Sequence, residues 1–562
     1  MSEEITRESL ELDVLFVGGG PATLAGAIRL ADLVKQRNEA GGEPLALEIA
    51  VIEKGEAFGD HGFSGAVLDP VVLNELLPAW RELGCPLEKE VRREEFMFLT
   101  PSRAMKIPTF AVPREVRNHG YHTASLQKLV AWLATEAEKR GINLLPATTG
   151  VEVLYDGERV VGVRTGDKGL GKDGRPKPNF EPGLDLKAKI TIFGEGPRGT
   201  LSEDLIARKK LREGKNPQRY SLGVKEVIRV EGQDLGGFVA TTMGWPLRSD
   251  AFGGGFFYEM GGGHLALGLV VGLGWHDPNF DCHEALQELK KHPYIQNLIR
   301  GGEVVAYGAK TIPEGGYWSL PQVWTDGALL VGDSAGFVDV KRNKGIPHAM
   351  KSGMVAAEVA LEAIVAGDLS AARLKSYWDR LSETFVVKDL WRQRNFRRAF
   401  EGGLYTGLAK MMFWDLTGGG STSRHDEEPD YKAFRHGSEF AKPASPVGFD
   451  SKVLVDKLTD VYRSGTKHRE DQPSHIQILD AKACVTKCMP RFGTAPCTHF
   501  CPASVYEMQG DGDARRIFVN FSNCVHCKTC GILDPCDVDL ADMLQNIEWR
   551  APAEGGPKYR YL

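Results

Sequence analysis

The hydrophobic pattern of the first 60 residues alternates between short apolar runs and one amphipathic segment. Residues 13–17 form a short run that is apolar after Asp13, and three glycines and Pro21 follow it. Apolar side chains then recur at helical spacing from Leu24 to Ala31, and a second apolar run covers residues 47–52. This order predicts a strand, a helix and a parallel strand, with the glycines at the first strand-to-helix turn.

The same pattern resumes late in the chain and indicates a discontinuous first domain. A strand is predicted at 187–193, and another at 328–331 before a helix at 347–366. The stretch between them is rich in β-branched residues, aromatic residues and glycine, which is typical of an antiparallel sheet. The predicted domains are a nucleotide-binding domain at 1–214 and 311–420, an inserted sheet domain at 215–310, a linker at 421–470 and a cysteine-rich domain at 471–562.

Composition and charge exclude several classes of protein. The 562 residues include 69 Lys and Arg against 75 Asp and Glu, a net charge of −6, so no basic excess predicts nucleic-acid binding. No apolar run reaches the roughly 18 residues of a membrane-spanning helix. The acidic N-terminus lacks the basic-then-apolar order of a secretory signal, so we expect the chain on the cytosolic side.

Two sequence motifs predict an FAD site. Glycines at the first turn let the backbone approach a pyrophosphate, and an acid ending the second strand suits a ribose hydroxyl. A later strand ending in Gly-Asp is similar to the second fingerprint of FAD-binding proteins, and the order of these pieces resembles the glutathione-reductase-type fold. These motifs predict FAD binding by Gly18, Gly20, Pro21, Ala22, Glu53, Gly332 and Asp333, and the resemblance to known flavoproteins implies Lys54, Ser64, Gly65, Gly345 and Ile346 as well.

Cysteine placement predicts a metal centre near the C-terminus. Eight of the ten cysteines fall between Cys484 and Cys536, and a dense cluster in a chain without a secretory signal favours metal over disulfides. The run Cys524-x-x-Cys527-x-x-Cys530 has iron–sulfur spacing, and Cys501-Pro502 supplies a remote fourth thiolate. We therefore predict a [4Fe-4S] cluster, with a structural zinc site as the alternative.

Several longer motifs resemble the electron transfer flavoprotein–ubiquinone oxidoreductase family. They are Ser64-Gly-Ala-Val-Leu-Asp69-Pro70, Gly244-Trp-Pro-Leu247, Asp471-Gln-Pro-Ser-His475 and Asn523-Cys-Val-His-Cys-Lys-Thr-Cys530. The resemblance runs almost end to end. It implies an electron-transferring-flavoprotein dehydrogenase with FAD and one [4Fe-4S] cluster, which takes electrons from reduced electron transfer flavoprotein and passes them to a membrane quinone. By the same resemblance, the backbone of Gly253 and Gly254 approaches the quinone.

The fold class implied is mixed α/β and α+β. It combines a glutathione-reductase-type FAD-binding fold, an inserted antiparallel sheet on the quinone side and a C-terminal ferredoxin-like iron–sulfur domain. Membrane contact at the cytoplasmic face of the inner membrane is expected to be peripheral. Two apolar segments, 96–112 and 404–416, are candidates for that contact, and ordinary core packing is the alternative.

Four cysteines depart from the family pattern. The family tail does not need Cys484, Cys488, Cys497 and Cys536, which would suit a second iron–sulfur cluster, a zinc site or unligated thiols. Two rival functions follow from this departure. One is a subunit of an electron-bifurcating electron transfer flavoprotein complex, and the other is a flavoprotein whose cysteine tail binds zinc and serves only for docking.

Overall fold

The structure, a computed structural model, describes residues 6–41, 43–65, 67–417, 424–440, 448–536 and 545–562. An eight-stranded sheet forms its first layer. Ser9–Val17 lies at its centre and pairs in parallel with both Ile49–Ile52 and Asp185–Phe193, as the alternating pattern predicts. The strand order is Trp324–Thr325, Ala328–Leu330, Asp185–Phe193, Ser9–Val17, Ile49–Ile52 and Asn143–Leu145, with the hairpin Gly150–Asp156 and Arg159–Thr165 joined antiparallel to Asp185–Phe193.

Two long helices pack against this sheet and against each other. Pro21–Glu39 and Ile346–Ala366 approach so closely that a Cβ on Gly353 would lie 1.8 Å from the carbonyl oxygen of Ala22. Both helices begin at the same edge of the sheet. The remaining helices of this part are Val71–Leu76, Leu126–Glu138, Thr200–Arg208, Ala371–Leu374, Ser376–Glu383, Phe385–Arg392, Phe396–Ala399 and Leu404–Leu416.

A seven-stranded sheet forms the second unit. Its strand order is Glu303–Pro313, Tyr220–Arg229, His264–Gly272, Gly253–Gly261, Phe238–Gly244, Arg93–Leu99 and Ala104–Ile107. All neighbours are antiparallel except Phe238–Gly244 and Arg93–Leu99, which run parallel. Helices Cys282–Lys291 and Pro293–Leu298 follow the strand His264–Gly272. Lys290 forms a fully buried ion pair of 2.6 Å with Glu226 of the sheet.

The predicted domain boundaries differ from this architecture in two places. Strands Arg93–Leu99 and Ala104–Ile107 fall within 1–214 but complete the inserted sheet, because Phe96 pairs with Thr241 in the parallel register. The predicted linker at 421–470 contains the helix Lys457–Arg463. Its buried Asp460 hydrogen-bonds His283 at 2.8 Å, so this part of the chain is packed structure.

The cysteine-rich domain consists of short elements. Its strand pairs are Lys467–His468 with Gly555–Gly556, Ile476–Ile478 with Ile547–Trp549, and Tyr506–Gln509 with Arg516–Val519. A π-helical turn, Cys484–Cys488, precedes the helices Met489–Phe492, Cys497–Phe500 and Cys530–Leu533. Smaller sheets elsewhere join Val67–Leu68, His122–Ala124 and Leu87–Glu90, and Lys168–Leu170 with Pro176–Glu181.

Candidate functional site

A single cavity of about 720 Å³ opens where the parallel strands end. Ligands of open α/β sheets bind at this edge, because the strand-to-helix turns leave a crevice there. The cavity continues between the two sheets and reaches the cysteine-rich domain. It brings together every residue predicted to bind FAD or quinone: Gly18, Gly20, Pro21, Ala22, Glu53, Lys54, Ser64, Gly65, Gly253, Gly254, Gly332, Asp333, Gly345 and Ile346.

The first glycine turn forms a cradle at the start of the helix Pro21–Glu39. Gly18 has φ +98°, and a Cβ there would lie 2.6 Å from the carbonyl oxygen of Gly194. Gly20 is the N-cap, and no side chain caps the first amides of the helix. The turn therefore presents free N–H groups and the positive end of the helix dipole to the cavity, which suits a phosphate.

Glu53 is fixed at the end of the second strand by hydrogen bonds to both carboxylate oxygens. Gly19 N donates to Oε2 at 2.8 Å, and Gly55 N donates to Oε1 at 2.7 Å. His61 Nδ1 lies 3.0 Å from Oε1. Burial alone would raise the pKa of Glu53, but the hydrogen bond and charge of His61 and the amide of Gly55 lower it to about 2. The carboxylate is therefore ionised at neutral pH.

Asp333 and the helix Ile346–Ala366 form the opposite wall. Burial raises the pKa of Asp333 to about 6, and the neighbouring Lys310 opposes that shift. Gly332 before it has φ +59°, a conformation that favours glycine. The helix begins at Ile346 with Gly345 as N-cap, so its positive dipole end faces the cavity.

Three buried lysines, Lys54, Lys310 and Lys528, lie between the cavity and the cysteines. Lys54 Nζ is 3.2 Å from His526 Nδ1, and Lys528 Nζ donates to the carbonyl oxygens of Pro197 and Arg198 at 3.0 Å each. Burial lowers the pKa of all three, and that of Lys54 falls to about 7. An anionic occupant of the cavity would stabilise the protonated forms of these lysines. Only Lys54 was predicted, since neither a lone lysine in a strand nor one in a cysteine loop carries a sequence signal.

The four cysteines predicted for the first cluster are all buried, with exposed fractions of 6–7%. Burial raises the pKa of every one of these thiols, to about 12 for Cys501 and Cys524. A bound metal centre would supply the positive charge that thiolates need here.

The loop that carries three of these cysteines has the backbone of an ion-binding site. His526 and Lys528, both non-glycine, have φ of +54° and +68°. When the backbone alternates between right- and left-handed conformations, successive N–H groups point into one concavity, as at many iron–sulfur sites. The hydroxyl of Thr529 donates to Cys527 Sγ at 3.3 Å. The donors present therefore fit an iron–sulfur cluster.

The cysteine loop is bonded to both other parts of the chain. Thr311 of the seven-stranded sheet donates its N–H and its hydroxyl to the carbonyl oxygen of Cys527, at 3.2 and 2.9 Å. The hydroxyl of Tyr307 donates to the carbonyl oxygen of Pro502 at 2.8 Å. Lys528 lines the cavity itself, so the cysteines lie one residue away from its wall.

His526 of this loop packs against two further buried histidines, His468 and His475, which stack on each other. The rings of His468 and His475 lie 4.7 Å apart, and His526 lies 5.0 and 5.3 Å from them. Burial lowers the pKa of each, so all three are neutral. His468 Nε2 is 2.9 Å from the carbonyl oxygen of Cys524, which fixes the ring against the loop.

The far end of the cavity is apolar and opens between the two segments predicted for membrane contact. Gly253 and Gly254 line it at the start of a strand, and a Cβ on either would lie about 2 Å from a neighbouring carbonyl oxygen, so the sheet itself requires glycine at both positions. Phe110 beside this opening is 87% exposed, and Tyr405, Met412 and Phe413 are 63–68% exposed. The apolar lining consists of Phe96, Ile107, Ala111, Val112, Phe396, Phe400, Leu404, Leu408, Met411 and Met412.

The four additional cysteines also lie together. Cys484, Cys488, Cys497 and Cys536 are each at most 5% exposed, and all have free thiols. Cys488 Sγ and Cys536 Sγ lie within 4.8 Å of each other. The irregular sequence spacing of these residues gave no indication of how closely they gather.

Two family models match the chain. One, described as electron transfer flavoprotein-ubiquinone oxidoreductase, 4Fe-4S, matches residues 451–560, and the other, ETF-QO, ubiquinone-binding, matches residues 220–312. The first range holds both cysteine sets, and the second holds most of the seven-stranded sheet.

Full-length relatives bear one description. The mitochondrial electron transfer flavoprotein-ubiquinone oxidoreductase of Arabidopsis thaliana is 41% identical over 100% of this chain and 86% of its own length. The Pseudomonas aeruginosa protein of that description is 38% identical over 98% of this chain and 99% of its own. A solved structure from Thermoplasma acidophilum, a geranylgeranyl bacteriochlorophyll reductase-like protein, shares the fold with TM-score 0.53 and 19% identity, covering 71% of this chain and 90% of its own.

Proposed function

Because the chain belongs to the electron transfer flavoprotein–ubiquinone oxidoreductase family, we propose that it oxidises reduced electron transfer flavoprotein and reduces a membrane quinone. The observation that supports this best is the continuity of one cavity. It joins a dinucleotide cradle, a buried cysteine loop and an apolar opening. A protein that only docks through a zinc tail has no need of such a connection.

FAD is the cofactor proposed for the cradle, where it supplies one- and two-electron redox chemistry. The turn at Gly18, Gly20, Pro21 and Ala22 would bind its pyrophosphate, and Glu53 would accept a hydrogen bond from ribose. Further contacts would come from Lys54, Ser64, Gly65, Gly332, Asp333, Gly345 and Ile346, which line the same cavity.

A [4Fe-4S] cluster is proposed for Cys501, Cys524, Cys527 and Cys530. The chain's own residues exclude water from it, since all four side chains are buried. Thr529 stabilises electron density on Cys527 by donating a hydrogen bond.

The quinone is proposed to enter through the apolar opening and to reach the backbone of Gly253 and Gly254. An isoprenoid tail would contact the apolar lining rather than water. None of the described helices is long and apolar enough to cross a membrane. We propose peripheral attachment through Phe110 and the helix Leu404–Leu416, at the cytoplasmic face of the inner membrane.

The function is tested by mixing anaerobically purified holoprotein with reduced electron transfer flavoprotein and lipid vesicles containing ubiquinone. Reoxidation of the donor flavoprotein with matching formation of quinol is the expected result. Donor oxidation that does not depend on quinone, or reduction only of a low-potential acceptor, would contradict the proposal and favour a bifurcating role.

The membrane surface is tested with Phe110→Glu and Met412→Glu. Each change removes an apolar side chain worth about 1.5 kcal/mol or more on burial, so vesicle binding should weaken about tenfold or more. Flotation with vesicles measures this. Tyr462→Glu is the matched control, because Tyr462 is also 87% exposed but lies outside both segments. Equal vesicle binding by all three variants and the wild type would contradict the assignment.

A further inference from the structure

The π-helical turn Cys484–Cys488 places two buried thiols on the same side of the chain. Residues four apart in a helical turn project from one face, and π-helical turns are frequent at functional sites. Asn546 Nδ2 lies 3.7 Å from Cys484 Sγ and donates to the carbonyl oxygen of Asp480 at 2.9 Å. These contacts of Asn546 hold the π-helical turn in place, and the sulfurs of Cys484 and Cys488 are buried in the domain.

Cys536 reaches this turn from the other end of the domain. Its sulfur, Cys488 Sγ and a carboxylate oxygen of Asp534 all lie within 4.8 Å of one another. Asp534 fixes its backbone, because one carboxylate oxygen accepts from Cys536 N at 3.1 Å and the other from Ile547 N at 2.7 Å. Both oxygens of Asp534 therefore shape the loop around Cys536.

Cys497 completes the set. It is the first residue of the short helix Cys497–Phe500 and interacts electrostatically with both Cys501 and Cys536. One helical turn thus contributes Cys497 to this set and Cys501 to the first. In the same way, the segment from Cys530 to Cys536 contributes to both sets. This exchange of ligands between two cysteine groups is the arrangement of two-cluster ferredoxins, in which the cysteine of a Cys-Pro pair binds the other cluster.

The separation of the sulfurs distinguishes a cluster from a single ion. Four thiolates around zinc, each about 2.3 Å from the metal, place every pair of sulfurs about 3.8 Å apart. Among the described residues, no three cysteine sulfurs all lie within 4.8 Å of one another. The four sulfurs of this set are therefore not spaced as a tetrahedral zinc site bound by four cysteines requires, and neither are those of the first set.

We propose that Cys484, Cys488, Cys497 and Cys536 bind a second [4Fe-4S] cluster. This site lies on the outer side of the first, because Thr486 and Lys487 of its π-helical turn are exposed whereas the first cysteine loop lines the cavity. The assignment concerns metal content alone and depends on neither the electron donor nor the acceptor.

Metal and sulfide analysis of the anaerobically purified full chain tests the proposal. Two clusters require about eight iron atoms and about eight acid-labile sulfides per chain, with no stoichiometric zinc. The electron paramagnetic resonance spectrum of the fully reduced protein should show two interacting spins. About four irons per chain would overturn the proposal, whether zinc, a disulfide or free thiols account for the remaining cysteines.

Variants identify the ligands. Cys488→Ala and Cys497→Ala should each lose about half of the iron and the spin–spin interaction while retaining flavin absorbance. Cys85→Ala is the control, because Cys85 lies in the first domain, and it should keep the full iron content. Full iron content in both ligand variants would overturn the assignment. If a variant does not fold, the Mössbauer spectrum of the wild type, which counts iron by cluster, decides between one cluster and two.

Discussion

The hydroxyl of Thr529 donates a hydrogen bond to Cys527 Sγ of the first cysteine set, over 3.3 Å. A hydrogen bond to a thiolate withdraws charge from the metal centre and stabilises its reduced form. Substituting one of the neighbouring lysines would also change the net charge, whereas the hydrogen bond from Thr529 can be removed without changing it. It therefore isolates one determinant of the reduction potential.

Thr529→Ala should lower the reduction potential of the first cluster by about 20–60 mV. This range corresponds to a hydrogen bond of about 0.5–1.5 kcal/mol for a one-electron couple. A potentiometric titration followed by electron paramagnetic resonance measures it. Thr529→Ser keeps the donor and should stay within a few millivolts of the wild type, and an unchanged potential in Thr529→Ala would show that the hydroxyl has no such role.

Residue-level prediction from sequence was possible where spacing encodes geometry. The turn at Gly18 and the run from Cys524 to Cys530 follow local rules, because a phosphate cradle and a cysteine loop are each built from one short segment. Lys310 could not be found in this way. It reaches the site only because its strand pairs with Tyr220–Arg229 beneath the cysteine loop.

Among the elements, the crossing of Pro21–Glu39 and Ile346–Ala366 positions both dipole ends at the cavity. Gly26 and Gly353 make the contact, and a Cβ on Gly26 would lie 2.8 Å from the carbonyl oxygen of Gly353. If the helix Pro21–Glu39 moved away from the helix Ile346–Ala366, the turn at Gly18–Ala22 would have to move with it. Helix packing and cofactor binding are therefore coupled.

Gly353→Ala should destabilise the protein by about 1–3 kcal/mol and reduce the flavin retained after purification, because the added methyl group overlaps the backbone of Ala22. Urea unfolding and the flavin-to-protein absorbance ratio measure the two effects. Gly448→Ala, where a Cβ would meet no atom within 4 Å, should leave both unchanged. Normal flavin content in Gly353→Ala would refute the coupling.

The central parallel strands of the first sheet were predictable because each of them is an apolar run next to a helical pattern. The parallel pairing of Arg93–Leu99 with Phe238–Gly244 was not, since it joins segments more than a hundred residues apart. No local pattern specifies such a partner. For the same reason, the strands Arg93–Leu99 and Ala104–Ile107 of the seven-stranded sheet lie outside the range 215–310 predicted for the inserted sheet domain.

In the molecule as a whole, several histidines are buried in the neutral form. Burial lowers the pKa of His61 and of His283 to about 4, against about 6.5 in the unfolded chain. The folded state therefore binds fewer protons than the unfolded state below pH 6.5. The stability that these histidines contribute is complete above that pH and is lost as the pH falls toward 4.

Between pH 7.5 and pH 5, the free energy of unfolding should fall by about 2 kcal/mol for each of these histidines. Urea unfolding at the two pH values measures the loss. His283→Gln should reduce the pH dependence, whereas His119→Gln, at an exposed position, should not. A pH dependence that is identical in His283→Gln and the wild type would contradict this account.

The hydrogen bonds from Thr311 and Tyr307 to the cysteine-rich domain have a consequence for kinetics. Some redox proteins carry electrons by swinging a tethered metal head between two docking positions. Here Thr311 and Tyr307 of the seven-stranded sheet donate hydrogen bonds to the carbonyl oxygens of Cys527 and Pro502, which hold the cysteine-rich domain against that sheet. Electron transfer within the protein must then occur across a fixed distance. Raising the viscosity of the solvent with glycerol should therefore slow the binding of redox partners and leave the internal electron-transfer rate unchanged.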